Sequence, residues 1–83
     1  MNQHFGSLIL GLAAQANAAL DGQLPPGAEE AGAGNARQLA QALIDTLAAL
    51  EEKTRGNLDA DEAKLMEQAL TGLRFRFATA KPQ

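Results

Sequence analysis

The stretch Glu51-Glu52-Lys53-Thr54-Arg55-Gly56-Asn57-Leu58-Asp59-Ala60-Asp61-Glu62 constrains the fold of this chain more than any other. Glu51 and Glu52 stand four and three residues before Arg55, the favourable order for ion pairs along a helix. Lys53 and Arg55 put positive charge where a helix dipole is negative. Gly56 is free to take the left-handed conformation that ends helices, which a Cβ makes costly, and Asn57 tolerates turn geometry. Asp59 then reads as an N-cap with Glu62 at the third helical position, the spacing of a capping box. Leu58 and Ala63 hold the two positions of a hydrophobic staple, alanine being a weak partner. Helix stop, reversal and helix start fall together here, which predicts an antiparallel helical hairpin.

The flanking segments supply its arms. Asn35 is an N-cap candidate with Gln38 at the third helical position, so helix two is expected over residues 36–54. Its main stripe is Leu39, Leu43, Leu47 and Leu50, with Ile44 beside it. Helix three is expected over residues 60–78, with Met66, Ala69, Leu70, Leu73 and Phe77 as its stripe. Folding about the Gly56–Asn57 bond sets Leu43 against Leu70, Leu47 against Met66, Ala36 against Phe77, and Leu39 near Leu73. Composition agrees with helix. The chain has 18 alanines and 13 leucines but no valine, tryptophan, tyrosine or cysteine, a balance that disfavours sheet. The fold class expected is all-α, with three helices in a single domain spanning residues 1–83.

Helix one is expected over residues 4–21, after a frayed Met1-Asn2-Gln3-His4. From Phe5 to Leu20 the chain carries no charge. Phe5, Leu8, Ile9, Leu12, Ala16, Ala19 and Leu20 share one helical face. The opposite face holds Gly6, Leu10, Gly11, Ala14 and Ala18, which is still apolar or small. A helix apolar all round is normally surrounded, and two other helices are too few to do it. This predicts a homo-oligomer, built through Phe5, Leu8, Ile9, Leu10 and Leu12 together with Phe75. Phe75 lies about 200° round helix three from Leu73 and so off its stripe. Small scaffolds that lack disulfides often gain stability by associating. As a membrane span, helix one is short, about 24 Å against a hydrocarbon core of roughly 30 Å. As a signal peptide it lacks a basic residue before the apolar run. Asp21 and Gly22 end the helix. Residues 22–34, with Pro25-Pro26 and several glycines, read as a flexible spacer, and Lys81-Pro82-Gln83 as a tail.

No constellation for chemistry emerges. His4 is the single histidine, and no cysteine exists to complete a zinc site. Ser7, Thr46, Thr54, Thr71 and Thr79 have no histidine placed to activate them. Asp45 beside the leucine stripe opposes Gln68 across the fold point. Asp59, Asp61 and Glu62 gather at a helix start, where the dipole stabilises carboxylates. The glycines of residues 27–34 lack the lysine and the strand of a phosphate loop. No catalytic residue, cofactor site or metal site is therefore expected. Arg74-Phe75-Arg76-Phe77 interleaves basic and aromatic groups, the pattern of RNA-stacking surfaces. On a helix, however, Phe75 and Phe77 face different ways. With a net charge of -3, bulk attraction to nucleic acid or anionic membrane is absent. Arg74 and Arg76 are candidates for RNA contact, and better ones for contact with a partner protein.

The run Ile44-Asp45-x-Leu47-x-x-Leu50-x-Glu52-Lys53-Thr54-Arg55-Gly56-Asn57-Leu58, followed by Glu62 and Leu73-Arg74, resembles a bacterial family of small helical proteins known as a domain of unknown function. Its Lys-Thr-Lys/Arg-Gly-Asn-Leu core is the specific part, and Phe5 to Ala16 is similar to the family's first helix. The resemblance implies a cytoplasmic bacterial protein without an assigned activity, and it transfers no catalytic residue. Gene neighbourhood in the family implies a link to translation. The expectation is a non-catalytic oligomeric interaction or adaptor protein. The alternatives are an accessory protein on a ribosome or other RNA-protein particle, and a membrane-surface protein docking by helix one.

Overall fold

A computed structural model describes residues 1–23 and 35–79. They form three α-helices: α1 Gln3–Leu20, α2 Ala36–Lys53 and α3 Ala60–Thr79. The fold is all-α. The spacer expected over residues 22–34 lies outside the described residues from 24 onward, as does the tail.

Each helix is fixed by local polar groups. Asn35 caps α2, its Oδ1 accepting the Gln38 N–H at 2.8 Å. α3 begins on a reciprocal capping box: the Glu62 N–H donates to Asp59 Oδ1 at 2.8 Å, and the Asp59 N–H to Glu62 Oε1 at 2.9 Å. α1 ends in a Schellman motif. There the Gln23 N–H donates to the Ala18 carbonyl at 3.0 Å and the Gly22 N–H to the Ala19 carbonyl at 2.9 Å. Gly22 takes φ 89° to make this possible.

The start of α1 corrects an expectation. Residues 1–4 are not frayed. Asn2 is an N-cap whose Oδ1 accepts from the His4 and Phe5 N–H groups at 2.9 and 3.0 Å. Its own N–H donates to Glu62 Oε2 at 2.9 Å, so the first turn of α1 is anchored to the first turn of α3. At the far end Arg76 donates to Asn17 Oδ1 at 2.6 Å and to Asp21 Oδ1 at 2.7 Å. Two helices joined start to start and end to end run in the same direction. α1 and α3 are parallel neighbours.

The core is Ile9 and Ala16 from α1, Ile44 and Leu47 from α2, and Met66, Leu70 and Leu73 from α3. α1 is its hub, touching each of the other helices more extensively than they touch each other. That hub position turns α2. Its buried line is Ala36, Ala40, Ile44 and Leu47, roughly 60° round the helix from the expected leucine stripe. Leu43 and Leu50 are half-buried and flank the core. The physical reason is close approach: Ala16 and Ala19 on α1 and Ala36 and Ala40 on α2 are all buried, and small side chains let backbones come together while leucines fill the sides. Arg37 stacks its guanidinium over the Phe77 ring at 4.0 Å, linking the first turn of α2 to the last turns of α3.

Candidate interaction surface

The turn expected to carry Gly56 is built slightly differently. α2 stops at Lys53 with Thr54 as its cap, and the Thr54 hydroxyl donates back to the Leu50 carbonyl at 2.6 Å. Gly56 sits two residues beyond that cap, in a reverse turn closed by the Asn57 N–H on the Thr54 carbonyl at 2.9 Å. Its φ is 88°, and a Cβ there would meet nothing within 4 Å. The glycine is required by backbone angle, not by space. Among the described residues the ion pairs are the Met1 amine with Asp59 and Arg76 with Asp21. Glu51 and Glu52 therefore do not pair with Arg55, contrary to the spacing argument. Beside the turn, Glu51, Arg55, Gly56, Leu58, Ala63 and Met66 line an open cleft of about 180 Å³. Cofactor pockets run from roughly 300 to 1,000 Å³, so this one takes a side chain at most.

Asp59 and Glu62 do more than cap. Glu62 is buried, 7 % exposed, and its two carboxylate oxygens each accept a backbone N–H, one local and one from Asn2. Asp59 accepts the Glu62 N–H and pairs with the Met1 amine at 2.9 Å. These contacts hold the Asp59 carboxyl below the usual carboxylate range, the Glu62 N–H first and the amine second. The amine is raised in turn, chiefly by its hydrogen bond to Asp59. Sequence reasoning found the box and missed its second use, because the partner lies 60 residues away. The available signal was an asparagine just before an apolar helix, which is itself an N-cap pattern.

The candidate contact residues separate. Arg76 is committed to Asn17 and Asp21, so it is a structural tie and not a free cation for RNA. Arg74 is exposed. Phe77 packs against the core under Arg37, whereas Phe75 is 70 % exposed. Ile9, expected at an oligomer contact, is wholly buried inside the chain. Phe5 and Leu12 likewise pack on the core as half-buried residues. They have little surface left to offer. Leu8 and Leu10 do remain outside, at 46 % and 59 % exposure.

Between those leucines the outward face of α1 holds Ser7, Gly11 and Ala14, all exposed, and no residue of the helix is charged. Nothing lies within 4 Å of the position a Cβ would take at Gly11, nor at Gly72 on α3. A glycine inside a helix costs about 1 kcal/mol relative to alanine, and neither site needs one for packing within the chain.

Asp45 faces solvent and accepts from Gln41 Nε2 at 2.8 Å, so its partner is one helical turn back and not Gln68. Among the described residues no three His, Asp or Glu side chains gather as a metal-binding group. Among the same residues, no helix is long and apolar enough to cross a membrane. The arrangement is one of ties between helices, with an exterior on the first of them that exposes Leu8 and Leu10 and carries no acidic or basic residue but His4. No curated protein and no solved structure matches the chain. A family model described as a domain of unknown function, DUF1844, matches residues 2–79.

Proposed function

We propose that this chain, which belongs to the DUF1844 family, is a non-catalytic interaction protein that works as a homo-oligomer through the outward face of α1. The observation carrying this reading is that α1 keeps Leu8 and Leu10 exposed on a helix without a single charge. A surface helix ordinarily sets charged residues against water, and an apolar exterior marks a contact surface. The two other helices already occupy the side of α1 that carries Ile9, Ala16 and Ala19, so among the described residues no further helix is left to cover the rest.

The reading includes α2 and α3 as an antiparallel hairpin, supported by Arg37 over Phe77, and a cytoplasmic bacterial setting, which the family resemblance implies. It is tested by size-exclusion chromatography with light scattering across a concentration series. Multiples of the 8.7 kDa chain mass that grow with concentration support it; a monomer throughout overturns it. The accessory role on an RNA-protein particle is weakened, since Arg76, one of its two candidate arginines, is occupied within the chain.

A further inference from the structure

Leu10, Ala14, Gly72 and Phe75 lie together along the outer rim of the seam between α1 and α3. The ties at the two ends of the seam set the register: Asn2 meets Glu62 and Asn17 meets Arg76, separations of 60 and 59 residues. Leu10 and Ala14 of α1 are therefore level with the part of α3 that contains Gly72. Azimuth follows from the same contacts. Asn17 marks the edge of α1 that faces α3, and Ala14 and Leu10, three and seven residues earlier, continue that edge. Arg76 marks the edge of α3 that faces α1, and Gly72, four residues earlier, lies on it. Phe75 stands three residues above Gly72 on its solvent side. Ala14 and Gly72 make a low floor, and Leu10 and Phe75 rise from it, 59 % and 70 % exposed.

We infer that this notch is the self-association surface and that its occupant is Phe75 of a second copy of the chain. The inference rests on the oligomeric reading above and names the surface that would produce it. A projecting aromatic and a low floor of one alanine and one glycine are found on the same patch, which is what a two-fold contact between identical surfaces requires. Gly72 has no use within its own chain, as a Cβ there would touch nothing within 4 Å. A ring laid across it from outside gives it one. Charge points the same way. The α1 half of the edge carries no charge, and Arg76 on the α3 half is paired with Asp21 at 2.7 Å. Each Phe buries roughly 150–250 Å². One Phe and one leucine from each copy fall short of the ~800 Å² per partner of a standard stable interface, so the contact is a small, reversible one.

The experiment is sedimentation velocity on the full chain as wild type, Phe75→Ala and Gly72→Ala, with thermal melts on dilute samples. Both substituted positions are exposed, so both variants fold. Phe75→Ala is expected to weaken dimerisation at least tenfold with the melt unchanged. Gly72→Ala is expected to raise the melting temperature while also weakening dimerisation, an opposition that a merely structural role does not produce. An equimolar mixture of the two variants should associate more tightly than either alone, because one intact Phe-on-Gly contact survives in the mixed dimer. A wild-type dimer whose dissociation constant neither variant changes would overturn the notch and leave the oligomeric reading standing. A wild-type monomer at every concentration would overturn both, whether or not it floats with phosphatidylglycerol vesicles.

Discussion

Replacing Glu62 should cost this chain more than any other single polar change, because one side chain serves two helices. Glu62→Ala removes the acceptor for the Asp59 N–H and the acceptor for the Asn2 N–H, both at 2.9 Å. A hydrogen bond to a charged group contributes about 1.5–3 kcal/mol, while a helix cap near water is worth about 1. Glu62 is buried but both its partners belong to exposed residues, so a figure near the cap value applies to each bond, for a total of about 2 kcal/mol. A chain of this size has a total stability of roughly 4–12 kcal/mol, so the loss is a large fraction. It lowers the melting temperature by roughly 8–16 °C. Glu62→Gln should fall about halfway, since its amide keeps one acceptor oxygen and turns an NH₂ toward the other donor. Urea denaturation gives the free energies, and amide exchange followed by NMR reads the Asn2 and Asp59 N–H groups individually. Glu62→Gln with wild-type stability and unchanged protection at both amides would refute the double-acceptor account.

Gly56→Ala should destabilise by about 1 kcal/mol through its positive φ, while D-alanine at the same position, introduced by chemical synthesis, should be neutral or stabilising because the Cβ space is open. Equal melts for the two enantiomers would show that the backbone does not hold that angle. Acidification tests Asp59. Its folded carboxyl titrates below the ordinary value, so the folded state favours its ionised form. The stability it contributes is complete above the ordinary carboxylate range and is lost as pH falls through it, from about pH 4 downward. Asp59→Asn keeps the cap and should remove that component of the pH dependence; a variant that loses stability in acid just as wild type does would show another group responsible.

What the sequence made legible was local. Asn35, Asp59 with Glu62, and Gly22 act on residues two to five positions away, so spacing alone exposes them, and with them the three helices. The contacts that arrange those helices are remote. Nothing near Arg76 says that it reaches Asn17 and Asp21, and nothing near Glu62 points to Asn2. α1 was hard to read for a further reason. An apolar pattern that continues round the whole helix has a poorly defined phase, so it put exposed Leu8 on the same face as buried Ile9. On α2 the leucines outweighed the alanines by volume, yet the inward direction followed from how closely α1 approaches.

The parallel seam between the first and last helices has a consequence for how the molecule forms and opens. The α2–α3 turn closes locally, whereas each tie along the α1–α3 seam encloses about 60 residues. Loop-closure entropy grows by about 0.6 kcal/mol for each doubling of length, so the seam ties form after the α2–α3 turn has closed. Opening reverses the order. Release of α1 breaks the clamps at Glu62 and Arg76 and uncovers Leu47, Met66 and Leu70 in one step, while the turn at Gly56 stays closed. The Asn2 amide, which depends on the seam, should therefore exchange through a partial opening, ahead of the Asp59 amide held by the local capping box.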